Sequence, residues 1–133
     1  MSLTNINVRG YHIDLYGHVN NARYLEFLEE ARWELLDKTV DRDKWHRQGI
    51  GLSVVNININ YRRPAVMGDR LEIKTTLERI GRKSVVLKQV IAKTGDRRLV
   101  AEALVTFVIV NMKTLQAIPV SDEIRAELTA ING

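Results

Sequence analysis

The 133-residue chain has no cysteine, only two prolines and few aromatics, 6%. Without cysteine there is no disulfide framework, no thiol nucleophile and no cysteine-held metal. The three histidines, His12, His18 and His46, lack the spacing with carboxylates that zinc ligands show. Neither a metal nor another cofactor is expected. The longest strongly apolar run, Ala103 to Val110, is far too short to cross a bilayer. The N-terminus also lacks the charged-then-apolar pattern of a secretory signal. A cytoplasmic protein with no stable membrane association is the expectation.

With 45% hydrophobic and 27% charged residues, the composition is that of an ordinary globular protein, and one domain over residues 1–133 fits the length. The net charge of +4 hides an uneven distribution. Residues 26–43 hold seven acids against three bases, whereas residues 60–98 hold eleven bases against four acids. A basic half can meet nucleic acid, a membrane surface or a phosphorylated small molecule. No basic run is interleaved with aromatic stacking positions, so nucleic acid is not expected as a partner.

Polar and apolar residues alternate over Thr4–Arg9, with Ile6 and Val8 on one face, and predict a short strand. A glycine-punctuated loop follows from Gly10 to Val19. Asn20 is a good N-cap, and Asn21 to about Lys38 carries the long helical pattern. Tyr24, Phe27, Leu28, Ala31 and Leu35 form its apolar stripe, which Leu25 and Leu36 broaden. Asp41 to Gly51 reads as irregular. Four strands are then expected: one ending in Val55, Ile57, Ile59 and Tyr61, one over Leu71–Leu77, one over Val85–Ile91, and Leu99–Val110, buried on both faces. Ser121 caps a short C-terminal helix that turns Ile124, Leu128 and Ile131 inward. The order predicts an α+β protein, a five-stranded antiparallel sheet wrapped around one long helix. One helix cannot cover so large a sheet, and pairing of two chains is the economical remedy.

The segment from Asp14 to Tyr24 is the place for chemistry. A carboxylate (Asp14) and an imidazole (His18) stand four residues apart on a loop that feeds a helix. The first helical amides lack intrahelical acceptors and favour negative charge, as an oxyanion would require. Gly17 permits close approach of backbone or substrate. The same residue types also make plain turns, so spacing alone leaves both readings open.

Val8 to Arg32, with Asp14, Gly17, His18-Val19-Asn20-Asn21, Tyr24 and Glu30-Ala31-Arg32, resembles the acyl-CoA thioesterases of the 4-hydroxybenzoyl-CoA thioesterase family. The run Val55-Asn56-Ile57-Asn58-Ile59-Asn60-Tyr61-Arg62-Arg63-Pro64-Ala65-Val66, followed by Gly68-Asp69, strengthens the match. The resemblance implies the hot-dog fold, an acyl-CoA substrate of the long-chain class, and a homodimer or homotetramer. It makes Asp14 the catalytic carboxylate, as nucleophile or as general base for water, and the Asn21 amide the donor to the thioester oxygen. Gly17 would sit beside the thioester. Plant acyl-carrier-protein thioesterases resemble this loop too, and there the histidine matching His18 counts as catalytic. His18 either orients Asp14 or the water, or braces the loop. A hot-dog enoyl-CoA hydratase or dehydratase and a non-catalytic acyl-CoA-binding module are the rivals.

Among the remaining polar residues, Arg62, Arg63 and Arg82 are candidates for the phosphates of coenzyme A, since guanidinium forks suit phosphate. Tyr24 is a candidate substrate contact, with core packing as the alternative. Glu30 is expected to pair with Arg32, and Asn56, Asn58 and Asn60 to line a polar seam between subunits. Trp33 and Trp45 are expected to be structural.

Overall fold

The computed structural model describes residues 1–133. Its elements are β1 (Ser2–Asn7), a 3-10 turn (Gly10–His12), α1 (Asn21–Thr39), α2 (Arg42–Arg47), β2 (Ile50–Tyr61), β3 (Arg70–Ile80), β4 (Ser84–Lys93), β5 (Leu99–Asn111), α3 (Asp122–Thr129) and a closing 3-10 turn (Ala130–Asn132). The strands form one sheet in the order β1-β3-β4-β5-β2, antiparallel at every pairing. The sheet curls around α1 as the hot-dog expectation requires.

Asn20 starts α1 as its sequence position predicts: its side chain accepts the Ala22 N–H at 2.9 Å, satisfying one of the orphan donors. The helix buries Tyr24, Phe27, Leu28, Ala31, Leu35 and Leu36. Leu25 departs from the expected stripe and stands 37% exposed, on the side of α1 left open. Ser121 caps α3 by accepting the Ile124 N–H at 3.1 Å, and Ile124, Leu128 and Ile131 are buried as expected.

Four expectations need correction. The first strand begins at Ser2 and ends at Asn7, because Val8 leaves the ladder to exchange hydrogen bonds with Gly68 and Asp69. The stretch after α1 is not irregular. It holds α2, which Asp41 caps by accepting the Lys44 N–H at 3.0 Å, while Trp45 anchors it to the core at 4% exposure. β2 starts at Ile50 and carries a bulge at Val55, where the register with β5 shifts between Val54 and Asn56. The bulge switches parity, so Ile50 and Leu52 on one side of it and Ile57 and Ile59 on the other all pack inward. Val55 itself is exposed, not inward. β5 is covered along the face of Ala101, Ala103, Val105, Phe107 and Ile109, whereas in its middle the other face leaves Leu104 exposed and Thr106 and Val108 half-buried; Val100 and Val110 are buried near its ends.

The core has two apolar bodies. One gathers the N-terminal half of α1 with Leu71, Ile73, Ile91 and Val105; the other gathers Leu35 and Leu36 with Leu87, Phe107, Ile124 and Leu128. Between them lies a polar layer. Gln89, fully buried, donates from Nε2 to the Leu28 carbonyl at 3.0 Å and to Thr75 Oγ1 at 3.1 Å, and its Oε1 accepts from Arg32 at 3.2 Å. Arg32 therefore meets Gln89, not Glu30, and no ion pair joins Glu30 to Arg32.

Candidate active site

The loop before α1 is a tight reversal. Ile13 bridges Val19, and the Asp14 N–H donates to the His18 carbonyl at 2.8 Å. Gly17 takes φ +77°, a left-handed conformation that a side chain would strain. The Asp14 carboxylate is held by the turn: Oδ1 accepts the Tyr16 N–H at 2.9 Å and the His18 N–H at 3.2 Å. Oδ2 makes no hydrogen bond within the chain. One oxygen is thus pinned by backbone donors while the other keeps its lone pairs.

The reversal is fastened to the fold. Val19 N–H donates to the Ala65 carbonyl at 2.9 Å, His18 pairs with Val66, and Asn20 N–H donates to the His12 carbonyl at 2.8 Å. Asp69 closes the neighbouring turn, accepting the Val66 N–H at 2.9 Å and pairing with Lys93 at 3.3 Å. At the start of α1, the Ala22 N–H goes to the Asn20 side chain and the Arg23 N–H to the Asn20 carbonyl. The Asn21 N–H has no protein acceptor, so the donor expected for an oxyanion is uncommitted. Tyr61 donates its hydroxyl to the Asn21 carbonyl at 3.1 Å and fixes this end of the helix against β2.

His18 touches Asp14 through its backbone amide; its ring makes no hydrogen bond to the carboxylate. Orientation of Asp14 by the imidazole therefore does not occur in this structure. Tyr24 is 3% exposed, its hydroxyl oxygen accepts the Ala65 N–H at 3.2 Å, and burial raises its pKa above the ordinary 10. It is a core phenol that braces the 65–69 turn, which corrects its place among the substrate contacts. Arg62 is engaged by Glu102, while Arg63 donates to the Leu99 carbonyl at 3.2 Å and has no carboxylate partner. Arg82 lies in the turn after β3, at the opposite end of that strand from the Asp69 turn. Eleven strand residues separate the two ends, roughly 35 Å, so Arg82 is not in this cluster. Asn58 and Asn60 lie on the outer sheet face with Glu78, Lys88 and Glu102.

Sequence reasoning missed two positioning residues. Tyr61 was legible only as the last apolar position of its strand. His12 is 8% exposed, its Nδ1 accepts the Arg9 N–H at 2.8 Å, and its ring packs edge-on against Tyr11 and Phe27. Burial, with Arg23 nearby, lowers its pKa from 6.5. The folded state thus resists a proton that the unfolded chain accepts. The stability His12 contributes is full above about pH 6.5 and declines as the pH falls from there through its folded pKa. The melting temperature should fall between pH 7.5 and 5.5, with a flatter profile in His12→Asn, which keeps an acceptor but does not titrate; equal slopes would contradict this.

Comparison with known proteins agrees with the fold. Residues 8–128 match the model of the thioesterase-like superfamily. The chain is 52% identical over 126 residues to the long-chain acyl-CoA thioesterase FadM of Escherichia coli K12, covering 94% of this chain and 95% of that protein. It superposes on the crystal structure of YbaW, a probable thioesterase from Escherichia coli, with a TM-score of 0.91, at 49% identity and 97% coverage of both chains. The chloroplastic acyl-acyl carrier protein thioesterase ATL2 of Arabidopsis thaliana is 28% identical over 81% of this chain and 58% of that protein.

Proposed function

We propose, from the premise that the chain belongs to the thioesterase-like superfamily and is an acyl-CoA thioesterase, that it hydrolyses long-chain acyl-CoA to free fatty acid and coenzyme A, with Asp14 and the Asn21 amide as its machinery. The observation that carries the assignment of residues is the Asp14 carboxylate, pinned through Oδ1 and free at Oδ2, on the loop that delivers an uncommitted N–H at Asn21.

In the general-base route Asp14 takes a proton from water as the water oxygen bonds to the thioester carbon. The carbonyl oxygen becomes anionic and is held by the Asn21 N–H at the positive end of α1. Collapse breaks the C–S bond, and the departing thiolate receives the proton. In the nucleophilic route a carboxylate oxygen attacks first, and water then cleaves the resulting anhydride. Thiolate leaves readily, so neither route demands a strong general acid. His18 keeps a place at the loop as a ring that can contact the water or the substrate, and Gly17 keeps the backbone low beside the thioester.

Arg63, lacking a carboxylate partner, and Arg62 are suited to the phosphates of coenzyme A. Arg62→Ala/Arg63→Ala should raise KM for acyl-CoA about tenfold with kcat retained, the scale of a lost charge-assisted hydrogen bond or two. An unchanged KM would remove both from the site. The enzyme acts in the cytoplasm, without nucleic acid, as a dimer or tetramer. β2 is an edge strand twelve residues long with one side unpaired, a template for a second copy. A monomer in solution would contradict that assembly.

The test of the reaction is thiol release from acyl-CoA esters of increasing chain length and from acyl-carrier-protein esters, with enoyl-CoA absorbance followed in parallel. Release from long-chain CoA esters is expected. Loss of enoyl absorbance without thiol would favour a hydratase, and saturable binding without release a binding module.

A further inference from the structure

The two groups assigned to the chemistry stand on different pieces of structure. Asp14 is on the reversal and the Asn21 amide is at the start of α1, with Asn20 next to the helix in the covalent link. A carboxylate and an oxyanion donor act on one thioester only at a fixed separation, since a displacement of about 1 Å costs on the order of 100-fold in rate. The reversal has too little core to hold that separation by itself: from Ile13 to Val19, Val19 alone is buried.

The turn at residues 65–69 touches both pieces. Ala65 is fully buried, and its two backbone polar groups go one to each. Its N–H donates to the hydroxyl of Tyr24, in the first turn of α1, at 3.2 Å, and its carbonyl accepts the Val19 N–H at 2.9 Å. The next residue, Val66, bridges His18, whose N–H reaches Asp14 Oδ1 at 3.2 Å. Asp69 Oδ2 takes the Val66 N–H at 2.9 Å, and the same oxygen meets Lys93 Nζ, at the end of β4, at 3.3 Å. The Asp69 carbonyl accepts the Val8 N–H at 2.9 Å. One carboxylate thus closes the turn and ties it to the sheet. Burial raises the Tyr24 pKa, with the charges of Asp69 and Asp14 adding to it, so the phenol stays neutral at ordinary pH.

We propose, resting on the thioesterase reading above, that the 65–69 turn is the template that sets the distance from the Asp14 carboxylate to the Asn21 amide, and that Asp69 and Tyr24 are its positioning residues. Neither touches substrate. Each fixes one backbone N–H of the turn, Asp69 that of Val66 and Tyr24 that of Ala65, and through it the reversal. Without either side chain a buried or half-closed N–H loses its acceptor, and the reversal shifts against the helix start. The chemical step then slows, while affinity for the coenzyme A ester, which depends on other residues, is kept.

Palmitoyl-CoA hydrolysis and melting temperature, measured together for Tyr24→Phe, Asp69→Ala and Asp69→Asn, test this. Tyr24→Phe and Asp69→Ala should each lower kcat about tenfold, the effect of a shift of about half an ångström, with KM within about twofold of the wild type. Asp69→Asn gives up the ion pair with Lys93 but keeps an oxygen for the Val66 N–H, and should recover most of the rate. In an Asp14→Asn background the carboxylate is already gone, so Asp69→Ala and Tyr24→Phe should change the residual kcat less than about twofold. A plain structural brace lowers the melting temperature and leaves kcat per folded molecule unchanged; that result in Tyr24→Phe and Asp69→Ala would overturn the proposal. An equal tenfold loss with and without Asp14 would also overturn it, since the two residues would then act by another route. Tyr24→Phe removes a single oxygen and decides the matter even where Asp69→Ala does not fold. No thiol release by the wild type from any ester would instead overturn the thioesterase reading.

Discussion

Asp14→Asn should reduce kcat for thioester hydrolysis at least about 100-fold, the usual scale for removal of a general base. The substitution is a clean one in this loop. The asparagine carbonyl can accept the same two amides, from Tyr16 and His18, that Oδ1 accepts now. The turn and the start of α1 keep their geometry, and only the charge and the free oxygen are lost. A variant that folds as the wild type does and turns over at close to the wild-type rate would remove Asp14 from the chemistry. Asp14→Ala should lose the same activity and also loosen the reversal, since both amides then lack their acceptor.

The largest stability effect is expected at Gln89. It is fully buried, and all three of its hydrogen bonds go to groups with few other choices: the Arg32 guanidinium, Thr75 and the Leu28 carbonyl. Gln89→Leu removes the only side-chain acceptor of a part-buried cation that forms no ion pair, with Glu29 as the nearby carboxylate. Burial already disfavours that charge, as the lowered pKa of Arg32 shows. A loss of about 3 kcal/mol is expected, the scale of orphaning a buried charged partner. Arg32→Met/Gln89→Leu should recover a good part of it, because both polar partners then leave together. Denaturant midpoints at constant m-value measure the coupling. Strict additivity of the two single changes would mean that Arg32 and Gln89 do not act as a pair.

What the sequence disclosed and what it withheld divide along physical lines. Asn20, the α1 stripe apart from Leu25, and the Ser121 cap are local features, set by groups within a few residues, and they stand where they were expected. The α2 helix is equally local but is six residues long with a single large apolar anchor, Trp45, so its periodicity never rises above that of a loop. The bulge at Val55 is invisible for a different reason. Both halves of β2 alternate correctly, and only pairing with β5 shows that their parities differ. Gln89 occupies a regular inward position of β4, and nothing in the pattern shows that a polar layer should separate two apolar bodies.

The site divides in the same way. Asp14, Gly17 and Asn21 are legible because the reversal and the helix start are adjacent in the chain. Which group of His18 meets Asp14 depends on turn geometry, and the answer is the amide, not the ring. The remoteness of Arg82 follows from strand length and the direction of β3, which residue type alone does not convey.

The most direct test of the central claim is product stoichiometry with a long-chain acyl-CoA and the purified wild-type protein. Free thiol, free fatty acid and consumed thioester should appear in a ratio of one to one to one, and all three should be lost together in Asp14→Asn. Thioester consumed without free thiol, or thiol released undiminished by Asp14→Asn, would contradict hydrolysis by this carboxylate.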